Sequence, residues 1–166
     1  FKREARALAA LNHPNIVTIY SVEEADGHHF ITMERVEGQS LKGLIPDRGL
    51  SLDKLFTYSI AVADALASAH QSGIGHRDLK PTNVMVTEQD RVKVIDFGLA
   101  KLFEPLPGAP DPDAPTQVQT TRQDQILGTP AYMSPEQIEG RAIDHRTDIF
   151  SLGILLCEMA TGQRPF

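Results

Sequence analysis

The sequence has 166 residues, 41% of them hydrophobic, and a formal net charge of −6. This length and composition predict one globular unit with a buried core, and the acidic balance offers no basic surface for nucleic acid. The single cysteine, Cys157, excludes an internal disulfide and a cysteine-based zinc site, which favours a reducing compartment such as the cytoplasm, and no apolar run is long enough for a membrane span.

The amino-terminal part predicts one helix and one hairpin. Because the chain begins at Phe1 rather than at methionine, we expect it to be an internal piece of a longer protein. Apolar residues with helical spacing precede His13, namely Ala5, Leu8, Ala9 and Leu11. Two strand-like segments, Ile16–Val22 and Phe30–Arg35, follow and are expected to pair as an antiparallel hairpin.

The strongest helical pattern starts after Gly49. Ser51 is the expected N-cap and Gly73 the expected stop. The apolar residues predicted to share one stripe are Leu52, Leu55, Phe56, Ile60, Ala63, Leu66 and Ala67.

The stretch from Gly75 to Lys101 combines acids, an amide and a lysine with two short apolar runs. Asp78, Lys80 and Asn83 precede the run Val84–Val86, and Asp96 closes the run Val92–Ile95. Pairing of these runs in a hairpin would bring Asn83 and Asp96 together. Carboxylate and amide oxygens suit Mg²⁺, and a lysine supplies a positive charge for phosphate oxygens.

The remaining chain predicts one extended segment and one buried helix. The segment Glu104–Pro115 holds five of the eleven prolines, so it is expected to be extended, either within a functional segment or as a simple surface insertion. The segment Asp148–Cys157 is apolar on nearly every side, which predicts a helix within a core, with Cys157 as a packing residue.

The ordered motifs HRDLKPTN, DFG and GTPAYMSPE resemble those of eukaryotic-type protein kinases, in particular bacterial serine/threonine kinases. The resemblance implies an α+β, protein-kinase-like two-lobe fold that is present in part. Residues 1–36 would be the end of the small lobe, from helix C to the hinge. Residues 37–166 would be the large lobe through helix F, with residues 96–136 as the activation segment.

The resemblance also implies roles for the residues around the transferred phosphate. Asp78 would accept the hydrogen bond of the substrate hydroxyl, and Lys80 would meet the γ-phosphate of ATP. Asn83 and Asp96 would bind Mg²⁺. Thr129 would contact Asp78 and Lys80, which favours serine/threonine specificity.

For the nucleotide, the resemblance implies Met33 as gatekeeper, with the carbonyl of Glu34 and the amide of Val36 binding adenine. Met85 is assigned to the same nucleotide-binding group. Glu4 would pair with a lysine of the third strand; taken without the resemblance, it would be a solvated surface glutamate.

Regulation is expected at the activation segment. Thr121, or Thr120 behind it, would be phosphorylated and paired with Arg77, although any single threonine there could also be an unmodified loop residue. Phe97 would pack on helix C through Leu8. Asp148 would accept hydrogen bonds from the catalytic-loop backbone.

Three departures from the family pattern stand out. Gly75 replaces a bulkier apolar residue, Glu136 has no downstream arginine partner, and the chain contains neither a glycine-rich loop nor a strand-three lysine. The chain alone is therefore expected to be inactive. The leading hypothesis is a serine/threonine protein kinase that uses ATP, Mg²⁺ and a protein substrate. It would lie in the cytoplasm, with any membrane anchor outside this chain, and a homodimer would allow autophosphorylation.

Two alternatives remain. A pseudokinase or scaffold would bind partners or nucleotide without catalysis. The sequence argues against this alternative because it retains the four residues expected at the transferred phosphate, Asp78, Lys80, Asn83 and Asp96. A small-molecule phosphotransferase of related fold would not be expected to carry GTPAYMSPE.

Overall fold

The computed structural model describes residues 11–25, 28–97 and 130–166, without the side chain of His29. The elements in these ranges include five strands: β1 (Ile19–Ala25), β2 (His28–Met33), β3 (Gly38–Ser40), β4 (Val84–Thr87) and β5 (Val92–Val94). They also include four α-helices: α1 (Leu41–Leu44), α2 (Leu52–Gln71), α3 (Pro135–Ile138) and α4 (Arg146–Thr161). Short 3-10 turns cover Pro81–Asn83 and Pro130–Tyr132.

Strands β1 and β2 form the predicted antiparallel hairpin, with Ile19 opposite Met33 and Val22 opposite Ile31. Both strands are displaced toward the turn relative to the prediction, and Glu23 lies within β1. Main-chain pairing continues through polar, exposed positions because the ladder bonds do not depend on side-chain character.

The second sheet has the order β3-β4-β5, and both pairings are antiparallel. Val84 and Val86 of β4 face Val94 and Val92 of β5, and all four side chains are buried. The predicted hairpin is therefore confirmed. The segment before β1 adds a parallel bridge, in which the Val17 N–H donates to the Val94 carbonyl at 2.9 Å.

The long helix α2 begins and ends where the sequence predicted, but it buries a different face. Its buried residues are Tyr58, Val62, Ala65, Leu66 and Ala69. The predicted stripe was wrong for Leu52, Phe56 and Ile60, which are 70%, 60% and 66% exposed, and for Ala63 and Ala67, which are also exposed. Residues two positions apart, such as Phe56 and Tyr58, lie on nearly opposite sides of a helix. Because α2 carries apolar residues on both sides, their spacing in the sequence could not show which side is buried.

Helix α4 packs against α2 at the centre of the fold and buries Leu155 and Met159. It is longer than predicted and ends at Thr161; the next residue, Gly162, has a φ of 76°, the left-handed conformation typical of a residue that follows a helix. Cys157 is only partly buried, which corrects its expected place in the core. Among the described residues, no helix has both the length and the apolarity to cross a membrane.

Candidate active site

The loop between α2 and β4 is anchored by one buried carboxylate. Asp148, in the first turn of α4, has no exposed surface. Its two oxygens accept hydrogen bonds from the backbone N–H groups of His76 (2.7 Å) and Arg77 (2.6 Å), and from His70 Nε2 (2.7 Å). The predicted bonds between Asp148 and this loop are confirmed. The contact with His70 was missed, because 78 residues separate the two side chains in the sequence.

Arg77 adopts an unusual backbone conformation, with φ at 65°. A residue with a side chain is rarely left-handed, and such conformations persist only where the surroundings hold them. Here the N–H of Arg77 is bound by Asp148, and its carbonyl accepts a hydrogen bond from Gln137 Nε2 at 2.7 Å. The residue immediately before Asp78 is thus fixed at both ends.

Neutral His76 supports the same loop from within the core. Its ring is 1% exposed and lies 4.7 Å from the ring of Phe97, centroid to centroid. The N–H of Asp78 donates to Nδ1 at 3.3 Å, so the ring proton is on Nε2, which donates to the carbonyl of Ile95 at 3.0 Å. Burial lowers the pKa of His76, in agreement with a neutral ring.

Asp78, Lys80 and Asn83 are brought together as the sequence predicted. Lys80 Nζ lies 2.6 Å from Asp78 Oδ2, and Asn83 Nδ2 donates to the Asp78 carbonyl at 2.9 Å and to Oδ2 at 3.3 Å. Within the described part of the chain, these contacts use Oδ2 and leave Oδ1 of Asp78 without a hydrogen-bond donor.

The β4–β5 hairpin brings Asn83 next to the end of β5. The Ile95 N–H donates to the Asn83 carbonyl at 2.9 Å, and Asp96 is the following residue, with φ at 63°. The amide nitrogen of Asn83 is bound to Asp78, so its side-chain oxygen is the atom of this amide that could bind a metal ion. An amide oxygen and a carboxylate at adjoining positions fit a hard cation such as Mg²⁺.

The proposed adenine-binding residues lie between and beside the two sheets. Met33 ends β2, Glu34 and Val36 belong to the link to β3, and Met85 is partly buried in β4. Glu34 Oε2 accepts hydrogen bonds from Lys93 Nζ at 2.9 Å and from the Thr18 N–H at 3.2 Å. Burial opposes ionisation of Glu34, but these bonds outweigh it and lower its pKa.

Several predicted residues lie outside the described ranges. They are Glu4, Leu8, Thr120, Thr121 and Thr129. The contact of Phe97 with helix C through Leu8 stays a prediction for the same reason.

A buried acid that the sequence interpretation did not identify links three elements. Glu158 of α4 is 2% exposed and accepts hydrogen bonds from the Tyr132 hydroxyl and from Lys42 Nζ, the latter at 2.8 Å. Burial, with the hydrogen bond to Glu158, raises the pKa of Tyr132. The only sequence signal was an acid within an apolar helix. Glu136, which lacked a predicted partner, accepts a hydrogen bond from Thr147 at 2.8 Å.

Comparison with known proteins places this geometry in context. A family model described as "Protein kinase domain" matches residues 1–166. The chain is 45% identical to a "Probable serine/threonine-protein kinase" of Clostridium acetobutylicum, covering 100% of this chain and 24% of the relative. It is 40% identical to the serine/threonine-protein kinase PknB of Mycobacterium tuberculosis, again over 100% of this chain and 26% of the relative. The chain thus spans about a quarter of the length of these curated relatives.

Solved structures give the same result. The kinase domain of Mycobacterium tuberculosis PknI superposes with a TM-score of 0.75 at 29% identity, covering 100% of this chain and 58% of that chain. A double mutant of the same domain gives a TM-score of 0.75 at 30% identity, with the same coverage. The α+β, partial protein-kinase fold expected from the motifs is confirmed.

Proposed function

Because the chain belongs to the protein kinase family, we propose that the protein containing it transfers the γ-phosphate of ATP to serine or threonine hydroxyls of protein substrates. The observation that carries the proposal is the cluster of Asp78, Lys80 and Asn83 on a loop held by buried Asp148. Phosphoryl transfer requires mainly positioning and charge compensation. A loop fixed at its backbone and carrying an acid, a cation and an amide meets both requirements.

On the acceptor side, Asp78 is the residue that orients the attacking hydroxyl. Its Oδ2 is occupied by Lys80 and Asn83, so Oδ1 accepts the hydrogen bond of the substrate serine or threonine. The carboxylate takes the hydroxyl proton as the oxygen–phosphorus bond forms and the bond to the leaving ADP breaks. Lys80, 2.6 Å from Asp78, is close enough to contact both this carboxylate and a transferred phosphate.

On the nucleotide side, Asn83 and Asp96 would hold Mg²⁺ through their side-chain oxygens. A bound metal would offset the charge of the phosphates. Adenine would bind the main chain of Glu34 and Val36, with Met33 and Met85 beside it. The ion pair between Glu34 and Lys93 supports this binding, because it ties the link after β2 to β5.

Activation would follow phosphorylation of Thr121 or Thr120 by a second copy of the protein, with Arg77 as the partner of the phosphate. Thr129 would contact Asp78 and Lys80 beside the acceptor hydroxyl. ATP and a reducing environment are both found in the cytoplasm, where we place this domain.

The test is phosphate transfer from labelled ATP to serine- and threonine-containing peptides by the natural full-length protein. Asp78→Asn is expected to lower kcat by roughly 10²- to 10⁴-fold, while the KM for ATP stays nearly unchanged because Asp78 serves the acceptor. Asp47→Asn, at an exposed position, is the control for the same change of charge. An unchanged kcat in Asp78→Asn would remove Asp78 from this role. A folded wild-type protein without transfer would favour the scaffold alternative.

A further inference from the structure

The side-chain amide of Gln137 joins two segments that are 60 residues apart in sequence. Its Oε1 accepts a hydrogen bond from the Ser134 N–H at 2.9 Å, which closes the capping box at the start of α3. Its Nε2 donates to the carbonyl of Arg77 at 2.7 Å. Both ends of one amide are therefore used: the Ser134 N–H requires an acceptor, which Oε1 supplies, and the Arg77 carbonyl requires a donor, which Nε2 supplies.

The carbonyl bound by Gln137 belongs to the peptide group between Arg77 and Asp78. The other end of that peptide group, the Asp78 N–H, donates to His76 Nδ1 over a long 3.3 Å. Since Arg77 has φ at 65°, this peptide group is in a conformation that the chain does not favour by itself. Rotation of the peptide plane would redirect the Cα–Cβ bond of Asp78, and the short bond from Gln137 opposes that rotation.

The start of α3 is itself firmly held. Ser134 is fully buried, and its hydroxyl lies 3.3 Å from that of Thr147, which is also buried. Gln137 thus extends from a fixed helix start to the peptide group that follows the left-handed residue Arg77. A capping role alone would use only Oε1, whereas the observed orientation also satisfies the Arg77 carbonyl.

We propose that Gln137 is a positioning residue for Asp78. Its side-chain amide links the Ser134–Gln137 turn, which starts α3, to the Arg77–Asp78 peptide group, so the position of this turn affects the orientation of that peptide group. The inference rests on the proposed kinase function for its effect on rate. Its structural part, the bridge itself, is independent of that function. Any movement of the Ser134–Gln137 turn would, through this amide, change the orientation of the catalytic carboxylate.

Gln137→Glu separates the two bonds. A glutamate keeps an oxygen for the Ser134 N–H, but it places a second oxygen against the Arg77 carbonyl, so only the bridge to the loop is lost. Gln137→Met, which has similar length, loses both bonds without adding charge. Gln163→Glu, at an exposed position after α4, adds the same charge away from the loop.

The natural full-length protein is used for two measurements, steady-state phosphate transfer and amide hydrogen exchange. In Gln137→Glu we expect kcat to fall about ten-fold and the Asp78 amide to exchange about ten-fold faster, as loss of one partly buried hydrogen bond implies. The exchange of the Ser134 amide should stay within about two-fold, because the capping bond remains. The KM for ATP should also stay within about two-fold, because Asp78 serves the acceptor and not the nucleotide. Gln137→Met should speed exchange at both amides, and Gln163→Glu should change nothing.

Three results overturn the proposal: an unchanged kcat in folded Gln137→Glu, a lowered kcat with wild-type exchange at Asp78, or equal losses in Gln163→Glu. If Gln137→Glu does not fold, unchanged kcat and Asp78 exchange in Gln137→Met would also refute it. If the wild-type protein transfers no phosphate, the proposed function fails, and the exchange data still decide whether the bridge holds the Arg77–Asp78 peptide group.

Discussion

Replacement of the buried carboxylate in Asp148→Asn tests how the catalytic loop is held. An asparagine has the same shape but only one acceptor oxygen. With that oxygen toward His76 and His70, the amide NH₂ would face the Arg77 N–H, where the present distance is 2.6 Å. The charge-assisted bond from the Arg77 N–H becomes a contact between two donors. The bonds from His76 and His70 remain, but their acceptor is no longer charged. We expect a cost of roughly 2–4 kcal/mol in local stability, since an unsatisfied buried group costs about 1–3 kcal/mol.

Amide hydrogen exchange at His76 and Arg77 measures this cost directly, because both N–H groups donate to Asp148. A loss of 2–4 kcal/mol corresponds to exchange that is about 30- to 700-fold faster at these two positions. Asp47→Asn, at an exposed site, controls for the change of charge. If exchange at His76 and Arg77 is the same in both variants, the carboxylate does not hold the loop and the reasoning fails.

Three further predictions concern pH, the buried acid and glycine. Because burial lowers the folded-state pKa of His76, the unfolded state binds the proton more readily, so stability should fall as the pH drops below about 6.5; equal slopes of unfolding free energy against pH in wild type and His76→Gln would contradict this. Tyr132→Phe removes one donor to buried Glu158 and should cost about 1–3 kcal/mol in denaturant unfolding, and a wild-type midpoint would argue against it. Gly162→Ala should destabilise the fold by well over about 1 kcal/mol, since φ is 76° and the new Cβ would lie 2.3 Å from a backbone carbonyl oxygen. Gly75→Ala, with its nearest neighbour at 3.4 Å, should stay within about 1 kcal/mol of wild type in the same assay, and equal effects would refute the distinction.

Local patterns were sufficient for the two hairpins, apart from the exact bounds of β1 and β2, and for the type and limits of α2, but they did not predict the short strand β3. Alternation and turn residues identified both hairpins, and the Gly73 stop lies just after the last helical residue, Gln71. The same patterns chose the wrong face of α2, because Leu52, Phe56 and Ile60 are as apolar as the residues that are buried. Periodicity reports that a face is apolar, but burial depends on which face meets α4 and the second sheet.

The chain's own sequence determined the chemistry of the loop: it put Asp78, Lys80 and Asn83 within six residues and Asp96 after the second of the two strands that follow. Pairing of those two strands in a hairpin brings the ends that carry Asn83 and Asp96 together. Only the tertiary structure decided what holds that loop. The partners of its backbone, Asp148 and Gln137, lie 71 and 60 residues from Arg77. Hydrogen bonds between such distant residues leave no local pattern, because they form only when α3 and α4 pack beside the loop and exclude water from the polar groups between them.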